Sequence, residues 1–191
     1  MVVTATAAGE ETLLEQVASG DREAFGTLVR PHLSGLLAFA VRVAPDHAAG
    51  EDALQDVLSQ AFQTLQRKRA DELSQLDIRP WLFRSVINRL RRMGRQRREV
   101  PVGLSLEAGH SPDAEETAGR RALLSVVDAE LRKLPRDWRA AILLRHHAGY
   151  PPEEIAQILD RPSGTVKAWI HRGTRRVRAA LPDDIVEGGY Q

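Results

Sequence analysis

Apolar residues in this chain recur at intervals of three and four, and no convincing alternating run of the kind a strand needs is present. Gly20 and Asp21 mark a helix start, after which Phe25, Leu28, Val29, Leu33, Leu36, Leu37, Ala40 and Val41 line one helical face. Pro31 falls inside that pattern. Its ring nitrogen carries no hydrogen to donate, so the spacing predicts a break there and a new helix beginning at the proline. After Pro45 and Asp46 a second face follows, built from Ala53, Leu54, Val57, Leu58, Ala61, Phe62 and Leu65. Opposite it stand Glu51, Asp52, Gln55, Asp56, Ser59 and Gln60. A polar stretch, Arg67 to Asp77, interrupts the periodicity before a third helix of roughly Arg79 to Arg98, which opens with Pro80 and Trp81 and ends in arginines.

Pro101 to Gly119 holds Pro101, Gly103, Gly109, Pro112 and Gly119 among acids and small residues, a composition that cannot bury enough surface to fold alone and reads as a linker. Beyond it, Leu123, Leu124, Val127, Leu131 and Leu134 predict a helix closed by Pro135, and Trp138, Ile142 and Leu143 another. Two more are expected at about Pro152 to Leu159 and Ser163 to Leu181, separated by the tight turn Asp160 to Pro162.

The expected fold is therefore all-α: two small helical bundles joined by a flexible linker, the second containing a helix-turn-helix. The boundaries expected are a tail and short helix over 1–19, a first domain over 20–99, the linker over 100–119, a second domain over 120–182 and a tail over 183–191. Met1 to Gly9 is small and nearly uncharged and reads as a frayed tail, not a signal peptide. No apolar stretch is expected to reach the roughly 20 residues of a membrane span, so no membrane insertion is expected. The absence of cysteine removes disulfides and thiolate metal sites and fits a reducing compartment, so the cytoplasm is the expected location.

The formal net charge of +1 conceals an uneven placement. Seven arginines and no acid lie between Arg84 and Arg98, and six Lys or Arg and no acid between Arg161 and Arg178. Two basic stripes thus survive in a nearly neutral protein. The C-terminal stripe has the more specific context. Ile155, Ala156 and Leu159, a three-residue turn, then Val166 and Ile170 give the apolar pattern of a helix-turn-helix, with small Ala156 allowing a close crossing. The second helix offers Ser163, Thr165, Lys167, His171, Arg172, Arg175 and Arg176, preceded by Arg161, so that hydroxyls near its N-terminus can reach base edges while cations meet phosphates.

The first stripe carries Arg84, Arg89, Arg91, Arg92, Arg95, Arg97 and Arg98 beside Trp81, Phe83 and Asn88. That combination suits unpaired nucleic acid, where aromatic and amide groups stack on or bond to bases. A solvated helix end with a core tryptophan explains the same residues about equally well. Acids at Asp52 and Asp56 beside Gln55 read, by charge alone, as a solubilising face. Adjacent His146 and His147 point about a hundred degrees apart on a helix and do not form a chelating pair, and His32, His47 and His110 have no motif around them. Neither a glycine-rich phosphate loop nor a nucleophile elbow is found, so no catalytic residue, cofactor or metal is expected.

The order of these segments resembles the extracytoplasmic-function sigma factors of the group 4 type. GDREAFGTLVRPHLSGLLAFAVRV is similar to region 2.1, EDALQDVLSQAF to region 2.2, PWLFRSVINRLRRMGRQRR to regions 2.3 and 2.4, and LPRDWRAAILLRHHAGYPPEEIAQILDRPSGTVKAWIHRGTRRVRAAL to region 4. The resemblance implies a non-enzymatic subunit that directs core RNA polymerase to promoter DNA, monomeric when free and governed by an anti-sigma factor. It implies polymerase docking through Asp52, Gln55 and Asp56, in place of the solubilising reading. It implies capture of an extruded minus-ten base by a loop, Arg69 to Asp77, together with Trp81, Arg84, Asn88, Arg91, Arg92 and Arg95. Duplex reading of the minus-thirty-five element would fall to Arg161, Ser163, Thr165, Lys167, His171, Arg172 and Arg175. The chain departs from the family pattern at Leu76 and Ile78, where an aromatic residue commonly precedes the tryptophan. It departs again at Pro151, a usual Ser or Thr cap, and at Ala168 and Trp169, where Ser and Arg are frequent. A helix-turn-helix regulator lacking polymerase contacts, or a sigma mimic that titrates an anti-sigma factor, are the alternative roles.

Overall fold

The computed structural model describes the backbone of residues 3–98 and 118–181, with side chains over 9–95 and 123–181. Every regular element among these residues is helical. In chain order they are α1 (Val3–Ala18), α2 (Arg22–Val29), a 3-10 turn (Arg30–His32), α3 (Leu33–Val43), α4 (His47–Gln66), α5 (Ala70–Ser74), α6 (Ile78–Arg98), α7 (Ala118–Arg132), α8 (Arg136–His146), α9 (Pro152–Leu159) and α10 (Ser163–Arg178). Their contacts gather the described residues into two units, 3–40 with 51–98 and 41–50 with 118–181. Residues 100–117 of the expected linker lie outside the described residues, as does the expected tail over 183–191, while residues 118–119 begin α7.

In the first unit Asp21 caps α2, its Oδ1 accepting from the amides of Glu23 at 2.8 Å and Ala24 at 3.0 Å. Asp46, in the segment 41–50 of the second unit, does the same for α4, accepting from Ala49 N at 2.8 Å. Pro31 sits in the 3-10 turn between α2 and α3, where its missing donor costs no α-helical bond. Leu36, Ala40, Ala53 and Leu65 of the expected faces are almost fully enclosed, whereas Leu37 is exposed, and the core is completed by Phe39, Ile78, Leu82, Val86, Ile87 and Leu90, which the spacing had not singled out. Phe39 and Phe83 meet edge to face, centroids 5.0 Å apart, and Phe25 meets Phe62 likewise at 5.5 Å.

Three expectations are corrected. Residues 3–9 are not frayed: α1 begins at Val3, because alanine-rich sequence forms helix without needing a wide apolar stripe, and Leu14 and Val17 anchor its far end in the core. The polar stretch Arg67 to Asp77 is not continuous loop, since it contains α5. That helix is five residues long, held by the single buried side chain of Leu73 and by Glu72 Oε2, which accepts from Arg69 N at 3.4 Å. One apolar residue gives no periodicity to read. Finally, Arg22–Val43 comes nearer to a membrane span than expected, 22 residues containing an 18-residue window with a mean hydropathy of 1.3. It bends through the 3-10 turn at Pro31 and gives Ala24, Leu28, Val29, Leu36, Phe39 and Ala40 to the bundle core.

In the second unit α8 and α10 pack on one another, and each also touches α7 and α9. Ala140, Ala141, Leu144, Ile155, Leu159 and Val166 are fully enclosed at the centre of the unit. Arg139 is the sole buried charged residue among those described, 8% exposed. Its guanidinium donates to the carbonyl of Arg132, the last residue of α7, at 2.9 Å and to that of Leu134, just beyond it, at 3.2 Å. It also donates to the carbonyls of Arg42, Val43 and Ala44, at 3.2 to 3.4 Å, in the segment 41–50 of the same unit. Burial, reinforced by Arg132 and Arg136, lowers its pKa to about 10, so it stays charged at neutral pH.

Candidate nucleic-acid interface

The helix-turn-helix is formed by α9, the turn 160–162 and α10. Pro152 stands at the first helical position of α9 and Pro151 precedes it, so that helix starts without a side-chain cap. It ends at Asp160, whose backbone is left-handed at φ 54° and whose N–H returns to the carbonyls of Ala156 and Gln157. Asp tolerates that conformation better than most residues, and it is what reverses the chain within three positions. Ile155, Ala156, Leu159 and Val166 are buried as the apolar pattern required. A second close approach escaped the sequence reading. Gly173 of α10 lies so near Ile142 of α8 that a Cβ there would overlap its Cδ1.

With that face turned inward, α10 leaves Lys167, His171, Arg172, Arg175 and Arg176 exposed, with Ser163 and Thr165 half-exposed in its first turn. Two of the candidate cations already have anionic partners. Lys167 Nζ meets Glu153 Oε1 at 2.8 Å, and Arg161 Nη2 stands 3.6 Å from Asp137 Oδ2. The hydrogen bond from Lys167, foremost among several contributions, lowers the pKa of Glu153.

In the first unit α6 and α4 border a cavity of about 220 Å³. Trp81, Ser85, Asn88, Arg89 and Arg92 reach it from α6, one helical turn apart, and Val57, Gln60, Ala61 and Thr64 from α4. It is several times the ~30 Å³ that a water occupies. An aromatic plane, two amides, two hydroxyls and two guanidinium groups around it can stack on a planar ring, bond to its edge and meet an adjoining phosphate. Of the residues the sequence singled out for this region, the cavity unites Trp81, Asn88 and Arg92. Arg84 and Arg95 are exposed on α6 outside it, as is the half-exposed Arg91.

Arg89, which the sequence placed in the first basic stripe but the resemblance left out of the minus-ten set, lines the cavity and also bonds Asp56 on α4, Nε to Oδ2 at 2.7 Å. Its place among the other arginines of α6 gave no sign of this pairing, because charge pairing across two helices depends on how they are juxtaposed. Asp52 and Gln55 are exposed beside half-exposed Asp56, so the acidic face expected from the sequence is present as a surface.

Residues 124–177 match the family model described as sigma-70, region 4. The chain is 33% identical over 162 residues to RNA polymerase sigma-E factor of Streptomyces coelicolor, covering 82% of this chain and 85% of that one. It is 27% identical over 180 residues to ECF RNA polymerase sigma-E factor of Escherichia coli, covering 88% and 92%. The fold is similar to that of the sigma factor RpoE of Bartonella quintana, solved in complex with the anti-sigma factor NepR, with a TM-score of 0.69 and 25% identity over 84% of this chain and 98% of that one.

Proposed function

This chain belongs to the extracytoplasmic-function family of RNA polymerase sigma factors, and from that premise we propose that it is a group 4 sigma subunit whose acidic α4 face docks on core polymerase while α6 and α10 hold the two promoter elements. The observation that carries the reading is the pair of separate cationic surfaces on one chain, one bordering a cavity with a stacking ring and the other on an open recognition helix.

Asp52, Gln55 and Asp56 offer carboxylate and amide acceptors to a basic partner helix. Trp81, Asn88 and Arg92 take an extruded base of the minus-ten strand, with Arg84, Arg91 and Arg95 along its phosphates. Ser163 and Thr165 enter the major groove of the minus-thirty-five duplex, while Arg161, Lys167, His171, Arg172 and Arg175 meet base edges and phosphates. The role requires no reaction by this chain; the nucleotidyl transfer belongs to the polymerase, in the cytoplasm. Because a similar fold was solved with an anti-sigma factor, we further propose that this chain, monomeric when free, is silenced by such a partner.

Each surface can be weak. Two sites tethered to the same polymerase act at high effective concentration, and avidity replaces tight binding by either alone. Run-off transcription with purified core enzyme and genomic promoter fragments tests the role. A transcript that depends on this chain supports it, and none above core alone rejects it.

A further inference from the structure

Arg89 belongs to two surfaces at once. It lines the α4–α6 cavity, and its Nε and Nη2 both reach Asp56 Oδ2 on the acidic face of α4. Side-chain exposures of 28% for Arg89 and 41% for Asp56 leave the pair open to exchange, and exposed ion pairs are weak enough to be exchanged. A cation arriving at Asp56 competes with Arg89 for one carboxylate. A phosphate arriving at the cavity competes with Asp56 for one guanidinium.

We propose that Arg89 is a further nucleic-acid contact of the α4–α6 cavity, held back by Asp56 in the free protein and handed to a single strand when a cationic partner takes Asp56. The hand-over rests on the docking role given above to the acidic face; the held-back contact does not. Binding at the two surfaces is then reciprocal, each strengthening the other by the same factor.

The test is a four-variant cycle on the full chain, comparing wild type, Asp56→Asn, Arg89→Gln and the double variant for binding to a labelled single-stranded DNA oligonucleotide across a salt series. Freed from its carboxylate, Arg89 should make Asp56→Asn bind about threefold more tightly. One additional phosphate contact should steepen the slope of log K against log salt by about 0.7. Both gains should vanish in the double variant and return when Arg89 is replaced by Lys in the Asp56→Asn background. Glu15→Gln, which removes a negative charge on exposed α1, should not steepen the slope. A gain that survives in the double variant, an equal gain in Glu15→Gln, or no gain in Asp56→Asn overturns the proposal. Competition for core polymerase separates the two readings. If Asp56→Asn competes as well as wild type, the docking role fails and the hand-over with it, whereas an intact cycle still establishes Arg89 as the held-back contact.

Discussion

Lys167 on α10 and Glu153 on the helix before it are joined by a 2.8 Å ion pair, so a cation proposed to meet DNA is partly neutralised by its own domain. In that proposal duplex phosphate displaces a carboxylate that is itself exposed, and the exchange costs little. Glu153→Gln should therefore tighten binding to promoter duplex by about threefold, of the order expected for releasing an exposed pair. Lys167→Ala should weaken binding and lower the salt slope by about 0.9, the loss of one phosphate contact. Titration at several salt concentrations reads both, and an unchanged slope in Lys167→Ala would remove that residue from the interface.

Arg139 satisfies carbonyls at the end of α7 and in the segment 41–50, and it does so from a buried position. Replacing it with Leu keeps much of the volume but strands those acceptors, each of which pays the desolvation cost with no partner. The expected loss is about 3 kcal/mol, visible as a lower denaturant midpoint. A variant as stable as wild type would mean that water reaches these carbonyls.

Glycines 35 and 173 should respond in opposite ways. Beyond the backbone of its own helix and its chain neighbours, no atom lies within 4 Å of where a Cβ would stand at Gly35 in α3, so Gly35→Ala should gain about 0.5 to 1 kcal/mol from reduced unfolded-state freedom. At Gly173 a larger side chain meets Ile142 and Leu134, and Gly173→Leu should cost about 2 kcal/mol or more by overpacking. Thermal melts of the two variants decide, and equal shifts would contradict the close α8–α10 crossing.

Acidification should destabilise the protein as pH falls through the ordinary histidine range. Burial, with Arg79 adding and Glu10 and Asp77 opposing, lowers the pKa of His32. Partial desolvation, with Arg145 and Arg178 beside His146 and Arg42 beside His147, shifts those two the same way, but both are exposed, so the destabilisation rests on His32. A folded pKa below the unfolded one means that the unfolded chain takes up the proton first. Stability is thus full above the unfolded value of 6.5 and declines as pH drops through it towards the lowered folded value. Denaturation midpoints at pH 7.5 and at about 5.5 measure the decline, and His32→Gln should reduce it. A pH-independent midpoint would show that this ring is solvated.

The all-helical fold and the helix-turn-helix were legible because amphipathic spacing is local: a residue at Ile155 or Val166 is buried by the period of its own helix. The capping aspartates Asp21 and Asp46, the break at Pro31 and the turn at Asp160 were legible for the same reason, since each acts within four residues of itself. Charge was legible only as a distribution. That α4 and α6 border one cavity, that Asp56 holds Arg89 and Glu153 holds Lys167, and that Gly173 admits Ile142 are relations across helices. Sequence spacing carries no distance between residues on different elements, and so only the packing of one helix on another could decide which charges are spoken for and which remain to meet DNA.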